Sequence, residues 1–153
     1  MTIRTGDQAP DFTLPAAAGG TLTLSDAWRG SPVVLVFFPL AFSGRCQAEL
    51  CEIRDNIGVF QDAAVRVIGI SVDSHHSLRA WAEQQGYGFD LVSDFWPHGE
   101  VAGAYGVFLR DRGIAARASF LIDTEGAVRW SVVTPDTTVV RPLDGYREAL
   151  ATL

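Results

Sequence analysis

The sequence predicts an α/β fold in which a central mixed β-sheet is flanked by helices and preceded by an N-terminal β-hairpin. Three observations carry that expectation. Val33-Val34-Leu35-Val36-Phe37-Phe38 and Val65 to Val72 are near-continuous apolar runs, the pattern of strands covered on both faces. Each is followed by a segment with apolar residues at helical spacing. Further on, two strand-like segments bracket Glu125-Gly126, a tight hairpin turn.

Taken in chain order, Asp11-Phe12-Thr13-Leu14 and Thr21-Leu22-Thr23-Leu24 flank a turn-rich stretch ending in Gly19-Gly20, which gives the N-terminal hairpin. The Val33 to Phe38 strand follows. Ser43 is placed to cap a helix from Gly44 to about Gln61, with Leu50, Ile53, Ile57 and Phe60 on its apolar side. After the Val65 to Val72 strand, Ser74 or His75 starts a helix through Leu78, Trp81 and Ala82, closed by Gly86. Ser119 to Asp123 and Val128 to Val133 form the later hairpin, and Pro142 to Leu153 reads as a closing helix. Strand, helix, strand, helix, hairpin, helix is an order compatible with the thioredoxin topology.

A length of 153 residues fits a single domain spanning 1–153, and 48% hydrophobic residues exclude a disordered chain. A formal charge of −6 argues against nucleic acid or an anionic membrane as partner. All 12 basic residues are arginine. Met1 to Asp7 lacks the apolar run of a signal peptide, and the longest apolar run, Pro32 to Phe42, is too short to span a bilayer. A cytoplasmic location is expected, where a pair of cysteines points to redox or catalytic use.

With Ser43 as N-cap, Cys46 is the third helical residue. Backbone N–H groups there lack intrahelical acceptors, and the positive end of the helix dipole faces them. Both effects favour thiolate over thiol. A free cysteine taken alone is more often a small buried hydrophobe. Here it closes the segment Pro39-Leu40-Ala41-Phe42-Ser43-Gly44-Arg45-Cys46, directly after a buried strand.

That segment resembles the signature of the peroxiredoxin family, Pro-x-x-x-(Thr/Ser)-x-x-Cys, carried by Pro39, Ser43 and Cys46. Ala9-Pro10-Asp11-Phe12 and Ser93-Asp94-Phe95-Trp96-Pro97-His98-Gly99 extend the similarity over nearly the whole chain. Phe37 to Phe42 and Trp96 to Gly99 look closest to the AhpE (alkyl hydroperoxide reductase E) type. The resemblance implies a thioredoxin-like fold and a thiol-dependent peroxidase with Cys46 as the attacking sulfur. It further implies an arginine over the thiolate, matched by Arg117, and a glutamate that orients it, matched by Glu49. Arg117 would stabilise the thiolate and align the peroxide oxygens with its fork of donors. Peroxide would lie between Arg117, the Ser43 hydroxyl and the Cys46 N–H, with Pro39 shielding the sulfur. The product would be a sulfenic acid on Cys46. The substrates implied are hydrogen peroxide, organic hydroperoxides and peroxynitrite. The implied reductants are thioredoxin, a mycoredoxin-like protein or a low-molecular-weight thiol, and the implied assembly is a homodimer.

Cys51 lies five residues beyond Cys46, a C-x4-C spacing that is neither C-x-x-C nor a zinc pattern. It departs from the AhpE type and resembles peroxiredoxin Q, which implies a resolving cysteine. Alternatively it is a core residue, leaving a one-cysteine peroxidase recycled by an external thiol. In a helix the two Cα atoms stand about 8.6 Å apart, beyond the roughly 7 Å a disulfide tolerates. A disulfide therefore requires the helix to unwind. His75, His76 and His98 form no metal set, and no glycine pattern fits a nucleotide or flavin, so no cofactor is expected. Two rivals remain on the same fold: a disulfide oxidoreductase, which would lack its C-x-x-C, and a non-enzymatic binding or holdase module.

Overall fold

The structure is a computed structural model that describes residues 2–153. Thr13–Pro15 (β1) and Thr21–Thr23 (β2) pair antiparallel, with Leu14 opposite Leu22. The chain then turns directly into a helix, Leu24–Gly30 (α1), where the sequence reads as continuing strand through Leu24. Burial of Leu24, Ala27 and Trp28 on one side explains the turn. Their spacing is helical rather than alternating.

Val33–Phe37 (β3) is buried at every residue. It lies parallel to Arg66–Ser71 (β4), which lies parallel to Asp90–Ser93 (β5). On the other side β3 pairs antiparallel with Arg117–Ile122 (β8), and β8 with Val128–Thr134 (β9). The sheet order β5-β4-β3-β8-β9 is the mixed sheet of a thioredoxin-like fold. Two short strands, Phe108–Leu109 (β6) and Ile114–Ala115 (β7), form a separate ribbon before β8.

Because side chains alternate along a strand, β3 feeds two cores. Val33, Leu35 and Phe37 face the hairpin, α1 and the short helix Glu100–Ala104 (α5). Val34, Val36 and Phe38 face four helices: Gly44–Asp55 (α2), Ile57–Asp62 (α3), His75–Gln85 (α4) and Leu143–Leu150 (α6). The expected single helix from Gly44 to about Gln61 is thus two helices. Asn56 breaks it, its Nδ2 donating to the Glu52 carbonyl at 2.9 Å. Such side-chain bonds compete with the helical ladder, while the apolar spacing runs on through Ile57 and Phe60.

The later elements follow their local chemistry. The Ser74 hydroxyl accepts the Ser77 N–H at the start of α4, and Gly86 closes that helix in the left-handed region at φ 71°. Buried Asp94 accepts the N–H groups of Val101 and Ala102 in α5. Gly126, at φ 85°, makes the β8–β9 turn and lets the Trp28 ring pack against it. Among the described residues no helix is long and apolar enough to cross a membrane.

Candidate active site

The parallel strands β3 and β4 both finish at the end of the sheet where β8 begins, with Phe37 opposite Ala118. The loop after β3 carries Pro39 and Ser43 into α2, and Arg117 opens β8 beside it. The fold therefore brings together residues 71 positions apart, Cys46 and Arg117.

Ser43 occupies the N-cap position with extended backbone, but its hydroxyl makes no cap bond to the helix. It donates instead to the Leu40 carbonyl at 2.9 Å, which corrects the expected side-chain cap. The bond tightens the loop around Phe42, a non-glycine residue held at φ 66°. A second tether comes from Asp73, which follows β4 and accepts the Ala41 N–H at 2.8 Å. A bulky residue in the left-handed region persists only where neighbours over-determine it. Here the two tethers and the Trp81 ring, 6.1 Å from that of Phe42, supply the constraint.

The first intrahelical bond of α2 runs from the Gln47 N–H to the Ser43 carbonyl. Cys46 thus belongs to the first turn, where the helix presents partial positive charge. Its sulfur is fully buried. Arg117, 3% exposed, donates from Nη1 to Cys46 Sγ at 3.2 Å and to Glu49 Oε1 at 2.7 Å. Its Nε donates to the Thr137 carbonyl at 2.8 Å.

Glu49 is buried one turn beyond Cys46 and serves two cations. Arg141, just before α6, donates its backbone N–H and Nε to Glu49 Oε2 and its Nη2 to Oε1. The Nη1 of Arg141 donates to the carbonyls of Phe37 and Ala118 and to Ser119 Oγ. Burial would raise the Glu49 pKa, but hydrogen bonds and charge from Arg141, with the charge of Arg117, outweigh it and hold it below its ordinary 4.5. Glu49 Oε1 thus accepts from both Arg141 and Arg117, and the same Arg117 nitrogen reaches the Cys46 sulfur.

Arg117 also lines a surface cleft of about 190 Å³, together with Pro39, Ser43, Arg45, Arg112 and Thr137, among others. Pro39, Ser43, Cys46, Glu49 and Arg117 therefore gather at one place. Arg141, Thr137 and Asp73 belong there as well, and sequence reasoning missed them. The one signal for Arg141 is a lone cation among Val139, Val140 and Pro142.

Cys51 lies elsewhere. It is partly exposed on α2, where its Sγ meets the Tyr87 hydroxyl at 3.3 Å and Gln85 Oε1 at 3.5 Å. No disulfide joins Cys51 to Cys46 in this arrangement.

The arrangement suits nucleophilic chemistry by a sulfur held at a helix start beneath a fixed cation. Residues 5–131 match the AhpC/TSA family. The chain is 43% identical over 129 residues to alkyl hydroperoxide reductase E of Mycobacterium tuberculosis, covering 84% of each chain. It is 39% identical to a chloroplastic 2-cysteine peroxiredoxin of Chattonella marina, covering all of this chain and 80% of that one. The crystal structure of peroxidoxin BcpB from Mycobacterium tuberculosis superposes with a TM-score of 0.83 at 31% identity, covering 98% and 96% of the two chains.

Proposed function

The chain belongs to the AhpC/TSA family and is a thiol-dependent peroxidase, and on that premise we propose that Cys46 is the sulfur that attacks peroxide. The observation that carries this reading is the 3.2 Å bond from Arg117 Nη1 to a cysteine in the first turn of α2. The Cys46 thiolate attacks one peroxide oxygen in line with the O–O bond. The sulfur–oxygen bond forms, the O–O bond breaks, and the second oxygen leaves with a proton as water or alcohol. Arg117 and the N–H groups of the first turn stabilise the charge that spreads along that axis. Pro39 and Ser43 line the neighbouring cleft, which supports a role for both in the approach of peroxide. The product is Cys46 sulfenic acid.

Cys51 completes the cycle in this proposal. Its thiol attacks the sulfenic sulfur, a disulfide forms, and hydroxide leaves with the thiol proton as water. An external thiol then reduces the disulfide: thioredoxin, a mycoredoxin-like protein or a low-molecular-weight thiol. The C-x4-C spacing and the partly exposed position of Cys51 support this reading. Hydrogen peroxide and organic hydroperoxides are the proposed substrates, with peroxynitrite a third, and the cytoplasm is the proposed location.

Intact mass after one equivalent of hydrogen peroxide tests the scheme. Loss of two hydrogens, with a Cys46–Cys51 peptide, is the expected result. Gain of one oxygen with Cys51 still free would make this a one-cysteine peroxidase.

A further inference from the structure

The surroundings of Cys51 are not those of a cysteine that only fills space. A core cysteine is enclosed by apolar side chains. Here the sulfur sits between a phenol and an amide, with both contacts coming from the end of α4. The thiol donates to Gln85 Oε1 at 3.5 Å and meets the Tyr87 hydroxyl at 3.3 Å. One helical turn along the same face, Arg54 donates from Nη1 to the Gln85 carbonyl at 2.6 Å. A donor and an acceptor thus meet a sulfur for which the peroxide step has no use, and a cation is bonded to the backbone of the same Gln85.

The parts that carry these groups are firmly set. Gly86 in its left-handed conformation ends α4, and the Tyr87 N–H returns to the Ala82 carbonyl at 3.0 Å. The Tyr87 ring packs edge-on against Trp81 at 5.0 Å and stacks on Phe89 at 5.1 Å. Its hydroxyl is therefore delivered to Cys51 by a buried aromatic cluster. The sulfur of Cys51 is held at a fixed place, while the turn carrying Cys46 begins at a serine that does not cap it.

We propose that Tyr87 completes a resolving site, its phenolic O–H holding the Cys51 sulfur and stabilising its thiolate as it attacks the sulfenic acid on Cys46. This rests on the reading of Cys51 as the resolving cysteine. Gln85 takes the thiol hydrogen bond in the resting state. When the thiol ionises, the Tyr87 O–H remains as the donor to sulfur, with Arg54 as the nearby cation. The S–S bond forms, the S–O bond of the sulfenic acid breaks, and the departing hydroxide leaves with the Cys51 proton as water. Burial, then the bond to Cys51, raises the phenol above its ordinary range, so it stays a donor across neutral pH. When a reductant later cleaves the disulfide at Cys46, the same O–H receives the departing Cys51 thiolate.

The test is Tyr87→Phe in the full chain, which keeps the ring in its cluster and removes one hydroxyl. Sulfenic acid formation is followed by stopped flow, and disulfide formation by quenching and mass after one equivalent of hydrogen peroxide. We expect the first rate to stay within about twofold and the second to fall about tenfold or more, the scale of a hydrogen bond to a charged group. The rise of the second rate with pH should also move to higher pH. A loss of packing alone would not separate the two steps or move that profile. A disulfide forming as fast in Tyr87→Phe as in the parent, with the same pH profile, would overturn the role of Tyr87 and leave Cys51 resolving. A parent protein that forms no Cys46–Cys51 disulfide would overturn the underlying reading, and this proposal with it.

Discussion

In the proposed mechanism the chemistry turns on Arg117, one of whose nitrogens donates to both Cys46 and Glu49. Arg117→Lys keeps the charge but loses the planar fork. Sulfenic acid formation should slow at least about tenfold by stopped flow while the fold survives. An unchanged rate in Arg117→Ala would show that another group aligns the peroxide. Glu49 sets a second expectation. It lies buried between two arginines, so Glu49→Gln leaves two buried cations without their shared anion. A loss of about 3–5 kcal/mol in denaturant unfolding is expected. Acid should act through the same carboxylate. Its folded pKa is lowered, so its stabilisation is complete above the ordinary 4.5 and is lost as pH falls through the lowered value. An unfolding midpoint that declines between pH 7 and pH 5 in the parent but not in Glu49→Gln would contradict this. Cys46 and its partners on the loop were legible in the sequence because Pro39, Ser43 and Cys46 lie within one short segment. Arg141 was not, because the partner that gives it meaning is 92 residues away. Tyr87 looked like any core aromatic until the fold set its hydroxyl against Cys51.

Among the elements, α2 carries both cysteines and must change if they are to join. Melting its first turns gives up the Gln47–Ser43 bond and the Gln47 side-chain bond to Trp81 Nε1 at 3.2 Å. It also releases the left-handed Phe42. Oxidation should therefore lower far-UV helix content and speed amide exchange across residues 44–49. Exchange at 85–89, where Cys51 is held, should stay slow. Equal acceleration at both places would mean that Cys51 moves too. The continuous apolar run predicted β3, and the strand-like segments on either side of Glu125-Gly126 predicted the β8–β9 hairpin. Other elements gave no such pattern. α1 is a seven-residue helix whose first residue reads as the end of a strand, and β6 and β7 are two residues each. Such pieces take their form from the surface they cover rather than from their own periodicity.

At the scale of the molecule, some large apolar side chains remain uncovered. Phe42 is 51% exposed and Trp96 78%. Exposed apolar side chains that come together in one patch mark an association surface. We propose that they seat a second copy of the chain. Sedimentation should show a homodimer that weakens in Trp96→Ser, and a parent that is only monomeric at high concentration would refute it. The central claim, that one sulfur performs the peroxide chemistry, does not depend on assembly. It is tested most directly by mixing the reduced parent, Cys51→Ser and Cys46→Ser with one equivalent of hydrogen peroxide and following its disappearance over milliseconds to seconds. The parent and Cys51→Ser should each consume the peroxide, with Cys51→Ser stopping at the sulfenic acid, and Cys46→Ser should consume none. Rapid consumption by Cys46→Ser would contradict the account.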